Sequence, residues 1–377
     1  MNLGVIGYGL RMRTVIGEIM KLDPSCQVTA VVDLNNNAIS ARMREQGTED
    51  IRFYTSTEEM LDAERLDGVL VGTRCSLHTE MALKIMPRGI PLFLEKPVST
   101  NMEDLLRLKR AYDDLHSPVV VSFPLRMTTI VKSVKEIVDS GKIGTVEHVQ
   151  AVNNVPYGSV YFQSWYRDES ITGGLFLQKA THDFDYINHV LQYKPIEVCA
   201  MTSKQVFKGT KPAELKCKDC EEKHTCADSK AFKTGEEGDW EYCCFAEDTG
   251  NEDSGSAIIR YESGMHVSYS HNFFARREAG RRGARFLGYK GTVEFDFIKG
   301  KIMVMMHHTP RVETYEFEAG KGHYGGDAAL AENFVRMMKN GASSQSSLED
   351  GLTSALMCLK ARESAISRQF QAIGWDF

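Results

Sequence analysis

Leu3-Gly4-Val5-Ile6-Gly7-Tyr8-Gly9-Leu10-Arg11-Met12 decides the fold of the N-terminal part of this chain. A short apolar run ends in two glycines one residue apart, and apolar residues at helical spacing (Val15, Ile16, Ile19, Met20) begin directly after it. A strand that turns into a helix across Gly-x-Gly is the phosphate turn of a dinucleotide fold. The first glycine permits the tight turn, the second lets the backbone approach a pyrophosphate, and the helix N-terminus stabilises its charge. The third position of the pattern is normally small so that helix and strand pack closely; here it is Met12, a departure.

Working outward, apolar runs at 3–6, 28–32, 51–54, 68–71, 91–94 and 119–121 alternate with helical spacings at 11–22, 38–46, 57–61, 77–86 and 102–115. Continuous apolar strands between amphipathic helices predict a parallel sheet covered on both faces. After Phe123-Pro124 the pattern changes. One helix is expected over 131–138, then strands at 146–152, 197–202, 256–261, 266–272, 291–297, 301–306 and 313–317, and two closing helices over 328–339 and 348–368. Many strands with few helices between them predict a mostly antiparallel open sheet. The expected fold class is α/β: a doubly wound parallel sheet over 1–122, then an α+β domain over 123–377 with a large open sheet and a cysteine-containing insertion at about 205–255.

The 377 residues carry a formal charge of −6, with 42% hydrophobic and 25% charged residues. Such a chain can bury sizeable cores without a disulfide or metal, and its charge argues against nucleic acid, whose phosphates demand a basic face. The cluster Arg276, Arg277, Arg281, Arg282 and Arg285 reads as a solvated loop. No apolar run approaches the roughly 20 residues that span a bilayer. Met1-Asn2 leads straight into the first strand with no leader pattern, so a cytoplasmic protein without membrane contact is expected. Nine cysteines there are expected as thiols or metal ligands.

Asp33 closes the second strand, where a carboxylate accepts both ribose hydroxyls of adenosine and repels a 2′-phosphate. Leu34, Asn35 and Asn36 follow, with no arginine to hold such a phosphate. NAD is therefore expected over NADP.

Gly72-Thr73-Arg74-Cys75-Ser76-Leu77-His78 closes the fourth strand and Phe93-Leu94-Glu95-Lys96-Pro97 the fifth. With these, Phe123-Pro124-Leu125-Arg126, Gly173-Gly174 leading to His182-Asp183, Gly288-Tyr289-Lys290-Gly291-Thr292 and Glu349-Asp350-Gly351-Leu352, the chain resembles the Gfo/Idh/MocA family of glucose–fructose oxidoreductase and inositol dehydrogenase-like enzymes over nearly its whole length. The resemblance implies an N-terminal Rossmann domain and a C-terminal domain whose open sheet forms the interface of a homodimer or homotetramer. It implies hydride transfer between a nicotinamide cofactor and a small sugar, polyol or derivative. The cofactor contacts expected are Gly7, Gly9, Leu10, Arg11, Met12, Asp33, Thr73, Arg74, His78, Glu95, Lys96 and Pro97, with Arg126, Trp165 and Arg167 beside them.

Oxidising a secondary alcohol needs a base for the hydroxyl proton and a donor to steady the developing alkoxide. Lys96, at the carboxyl end of a parallel strand, suits the second task. His182, titrating near neutrality, suits the first. The family pattern is an acid, three residues, then histidine; here the acid's position is Gln178, so its role passes in expectation to Asp183 or Asp185. Lys179 is a further cation nearby. Arg126 is placed to reach nicotinamide or substrate. Tyr157, Tyr161, Trp165 and Tyr166 cluster as substrate wall or as core. His323 lies in a glycine-rich loop where it could line the cleft, or Asp327 could cap the following helix.

Cys217, Cys220, Cys226 and Cys243, with Cys244 or His224 as alternative fourth ligand, have the spacing of a structural zinc site; plain thiols are the other reading. The function expected is an NAD-dependent dehydrogenase or reductase acting on CH–OH groups. Two rivals stand beside it: an enzyme that retains NAD and cleaves glycosides by transient oxidation and elimination, and a non-catalytic NAD or sugar sensor.

Overall fold

A computed structural model of the chain describes residues 1–45, 50–233, 241–318 and 321–375. The chain divides into two compact units, Met1–Thr129 with Gly320–Leu356 and Ile130–Ala319 with Met357–Phe377. The first unit begins β1 (Asn2–Ile6), α1 (Leu10–Leu22), β2 (Gln27–Val32), α2 (Asn36–Glu45), β3 (Arg52–Tyr54), α3 (Thr57–Ala63), β4 (Gly68–Val71), α4 (His78–Ile85), β5 (Leu92–Leu94), α5 (Met102–Leu115) and β6 (Val119–Val121). Gln46, the expected end of the second helix, lies outside the described residues. The strands form one parallel sheet in the order β3-β2-β1-β4-β5-β6. The order reverses between β1 and β4, which opens a crevice at their carboxyl ends, the place where doubly wound sheets bind ligands.

Local sequence explains the elements. Ser56 and Asn101 cap α3 and α5 through side chains that accept from the backbone N–H of Glu59 and Asp104. β4, β5 and β6 are buried on both faces and accordingly read as unbroken apolar runs. Met12, Val15, Ile16 and Ile19 of α1 enter the core with Leu3, Val5 and Phe93, each large side chain worth about 1.5–3 kcal/mol of burial. Met12 fits because its partner position is Gly72: a Cβ there would lie 2.2 Å from Met12 Cγ. The bulk that departs from the dinucleotide pattern is absorbed by a glycine on the neighbouring strand end.

The second unit contains α6 (Thr129–Asp139), β7 (Val146–Asn154), α7 (Glu169–Thr172), α8 (Thr181–Leu191), β8 (Pro195–Ser203), β9 (Ser254–Tyr261), β10 (His266–Asn272), β11 (Arg281–Gly288), β12 (Gly291–Asp296), β13 (Lys301–Met306) and β14 (Val312–Glu316). α9 (Lys321–Tyr324) and α10 (Gly326–Asn340) return to the first unit, and α11 (Leu348–Ser367) and β15 (Gln371–Ala372) end the chain. The sheet order is β14-β13-β12-β11-β7-β10-β9-β8-β15, antiparallel except for the parallel pair β7–β10.

One expectation is corrected. The arginine cluster is a loop only in part: Arg276 and Arg277 precede the strand and Arg277 is exposed, but Arg281–Gly288 is an interior strand, paired to β7 and β12. Arg282, Ala284 and Phe286 point inward, while Arg281 and Arg285 stand half-exposed and reach Glu294 on β12. A buried arginine on the apolar side of the strand hides the alternation from a charge count. In the first unit α10 packs Leu330, Ala331 and Phe334 into the α1 core, with Phe334 edge-on to Phe93.

Candidate functional site

Three strand ends of the first unit bring their loops to one edge of the sheet. Gly7, after β1, has φ +81°, and a Cβ would lie 2.8 Å from the Gly72 backbone after β4. Gly7 N–H donates to the Val32 carbonyl. Gly9 begins α1, whose first turn holds no acidic residue and whose N-cap has no capping side chain. Asp33 is fixed beside this turn: its carboxylate accepts from Tyr8 N–H and from Asn35 N–H, both at 2.8 Å. Backbone donors at a helix N-terminus, a tight glycine approach and a half-buried carboxylate at the next strand end fit the diphosphate and ribose of a dinucleotide.

The Glu95-Lys96-Pro97 segment follows β5, with a cis Lys96–Pro97 bond. His78 holds it: Nδ1 lies 2.8 Å from the Pro97 carbonyl and Nε2 3.2 Å from the Thr73 carbonyl. Burial lowers the His78 pKa, against the two carbonyl oxygens, which raise it. Arg11 donates through Nε to Glu95 at 2.7 Å and through Nη2 to Ser122 at 2.9 Å, and pairs with Asp327 at 2.8 Å. Burial raises the Glu95 carboxyl, but Arg11 and then Lys96 outweigh it and hold the group below its ordinary range. Arg11 and Glu95, expected as cofactor contacts, thus spend their polar groups on each other and on the scaffold. His323 Nδ1 lies 3.0 Å from Asp327 and belongs to the same cluster. Arg126 is buried and donates to Asp350 at 2.8 Å and to the Gln345 carbonyl at 3.2 Å. Leu10 and Arg74 are exposed, and Thr73 is half-buried.

In the second unit, Gly173 and Gly174 take φ of 74° and 92°, which reverses the chain into a π-helical turn, Phe176–Ala180, directly before α8. Glu252 caps this turn by accepting from Leu175 and Phe176 N–H at 2.9 and 3.0 Å. π turns recur at functional sites, and this one carries Gln178 and Lys179, followed by His182, Asp183 and Asp185, all buried. Asp183 is locked. It accepts from Asn153 Nδ2 at 2.7 Å, Tyr269 Oη at 2.8 Å and Arg282 Nε at 2.8 Å. These three donors fix Asp183 beside His182, and Asp185, the other carboxylate expected to replace the acid absent at Gln178, is buried two residues further on.

Of the aromatic cluster, Tyr161 is core, packed with Phe162 and Phe273, whereas Tyr157 is 52% exposed. Trp165 stacks on Tyr166 with centroids 3.9 Å apart. Arg167 pairs with Asp248 and stacks on Tyr242, inside its own unit. Arg282, Asn153 and Tyr269 are the residues that sequence reasoning missed; the inward alternation Arg282, Ala284, Phe286 was the available signal.

None of the nine cysteines is in a disulfide, and among the described residues no group of three or more His, Cys, Asp or Glu side chains is arranged to hold a metal ion. Among the described residues no helix is long and apolar enough to cross a membrane.

The family profile described as "Oxidoreductase family, NAD-binding Rossmann fold" matches residues 1–123, and the "GFO/IDH/MocA C-terminal domain" profile matches residues 131–294. YteT of Bacillus subtilis, named as an oxidoreductase, is 27% identical over 316 residues, 73% of each chain. The myo-inositol 2-dehydrogenase of Thermotoga maritima is 26% identical over 202 residues, 53% of this chain and 58% of that one. Solved structures share the fold: levoglucosan dehydrogenase with NADH and levoglucosan has a TM-score of 0.78 at 18% identity, covering 99% of both chains. An oxidoreductase domain protein of Kribbella flavida has a TM-score of 0.79 at 18% identity, over 99% of this chain and 98% of that one. With both halves matched, the chain belongs to the GFO/IDH/MocA oxidoreductase family, with an NAD-binding Rossmann fold at its N-terminus.

Proposed function

We propose that this protein is an NAD-dependent dehydrogenase or reductase acting on a secondary alcohol or ketone of a sugar, polyol or derivative. The observation that carries this is the strand-end arrangement of the first unit, where the Gly7 turn, Asp33 and the His78-held Lys96 occupy one sheet edge. The relatives named for inositol and levoglucosan support a polyhydroxylated substrate. Asp33 supports NAD over NADP, since a phosphate on the ribose would meet its carboxylate. Residues 1–122 serve as the cofactor domain and 123–377 as the substrate domain.

Bound nicotinamide supplies the hydride acceptor or donor. Lys96 steadies the charge that develops on the substrate oxygen. His182 takes or returns the hydroxyl proton, its ring aimed by the locked Asp183 beside it. Gln178 donates or accepts a hydrogen bond at a substrate hydroxyl, as an amide can without acting as a base. The exposed Met201 and Ile258, diagonal to each other on one face of β8 and β9, support a homo-oligomer built on that sheet. The location we favour is the cytoplasm.

The cysteine insertion supports a structural metal as a separate reading. Residues 215–217 pair with 241–243, which turns Cys217 and Cys243 to the side opposite Lys216 and Tyr242, and Cys220 follows Cys217 by one tight turn. Metal analysis of the purified protein tests it: stoichiometric zinc supports the reading and its absence refutes it.

The redox reading is tested by NADH absorbance on a panel of sugars and polyols, run with both NAD and NADP. Turnover with NAD on at least one of them is expected. Glycoside cleavage with no net NADH, or ligand binding with no turnover, would replace it with one of its rivals.

A further inference from the structure

One turn before His182 stands a buried cation that the proposed chemistry leaves unused. Lys179 lies on the π turn and is 7% exposed. Its Nζ donates to Tyr157 Oη at 2.7 Å and sits 4.8 and 5.1 Å from the ring centroids of Tyr157 and Tyr161. Arg282 and Arg167, two other buried cations of this unit, end on carboxylates; Lys179 ends on a phenol. The two rings differ in setting. Tyr161 is sunk in the apolar cluster, while Tyr157 is open to solvent over half its surface.

The backbone fixes Tyr157 in this position. The next residue, Gly158, passes so close to β10's end that a Cβ would lie 2.0 Å from the Phe273 carbonyl oxygen. No larger residue fits there. An ammonium hydrogen-bonded to a phenol oxygen favours its ionised form. Arg282 adds a second cation within electrostatic reach of Tyr157, and Tyr161 is a titratable neighbour that itself faces Tyr166. The pair therefore joins a buried charge, three residues before His182 in the chain, to a solvent-facing phenol.

Resting on the redox reading above, we propose that Tyr157 is a second acid–base residue of the site, exchanging with solvent the proton that His182 handles, and that Lys179 is the positioning residue that holds it. In oxidation the substrate O–H bond breaks and its proton passes to the His182 imidazole. The carbon's hydride leaves with both electrons to nicotinamide. The imidazolium proton then moves to the Tyr157 phenolate oxygen, and the phenol returns it to water. The reverse order serves reduction.

The test uses the full-length chain with Tyr157→Phe, Lys179→Met and Lys179→Arg. In cofactor-free protein, tyrosinate absorbance is expected to rise at lower pH in the wild type than in Tyr157→Phe, and Lys179→Met delays that rise. During turnover, Tyr157→Phe lowers kcat about tenfold with KM unchanged. A small amine buffer restores the rate in proportion to its concentration, an effect that a merely structural tyrosine would not show. Lys179→Arg retains more kcat than Lys179→Met; if the latter does not fold, Tyr157→Phe decides alone. Coincident absorbance titrations, or wild-type kcat in Tyr157→Phe, overturn the pair. A wild type that turns over no sugar or polyol overturns the redox reading instead, a separate result because the absorbance titration needs neither cofactor nor substrate.

Discussion

Each unit places a candidate reactive residue next in sequence to a carboxylate that a distant arginine locks in place. In the first unit Lys96 follows Glu95, which Arg11 holds; in the second His182 precedes Asp183, which Arg282 holds. The clusters differ in wetness. The Arg11 side chain keeps 27% of its surface exposed and serves two carboxylates and a serine, whereas Asp183 is fully buried and shared among Arg282, Tyr269 and Asn153. Both devices aim a side chain by anchoring its neighbour, but the dry one has no water to take over if a partner is lost.

The comparison breaks first at Arg282. Arg282→Met strands the Asp183 charge in an apolar surround and is expected to cost about 3–5 kcal/mol, read from the denaturant midpoint; a loss under 1 kcal/mol would mean the two anchors do not differ. Arg11→Met, in the wetter cluster, is expected to cost about 1.5–3 kcal/mol. It also changes the pH dependence. Glu95 and Asp327 have lowered pKa values in the folded state, so their contribution is present above the ordinary carboxylate range and is lost as pH falls through the folded values. Arg11→Met should flatten that acid limb, and an unchanged limb would contradict the assignment.

Two smaller effects sharpen the picture of the cofactor edge. Gly72→Ala drives a methyl into Met12 and should cost about 1–3 kcal/mol. Combined with Met12→Ala it should cost less than the two single changes summed, because the smaller side chain makes room; additive losses would mean the two residues do not share that space. On the proposed role of Asp33, Asp33→Ser should raise kcat/KM with NADP relative to that with NAD about tenfold, or 1.4 kcal/mol; an unchanged ratio would contradict that role.

Much of the first unit was legible because its signals are local. Gly7-Tyr8-Gly9, Asp33 at a strand end and Glu95-Lys96-Pro97 each announce themselves within a few residues, and buried parallel strands read as plain apolar runs. What was not legible depends on long-range partners. Met12 looks like a defect until Gly72 is seen beside it. Arg282 looks like part of a surface charge cluster until Asp183, 99 residues away in sequence, is seen to receive it. The π turn leaves no sequence signal beyond Gly173-Gly174, so the pairing of Lys179 with Tyr157 could not be drawn from spacing. The partners of Asp183 were hidden for the same reason: its three donors come from three separate strands.

On the proposed function, Lys96 and His182 act on one substrate oxygen. A double-mutant cycle on kcat/KM with Lys96→Met and His182→Asn tests it most directly. Each change alone should lower the rate by about 10²–10⁴-fold, and the pair together by little more than the worse single change, as for groups that act as a unit. Full activity in Lys96→Met, or losses that simply multiply in the double variant, would contradict it.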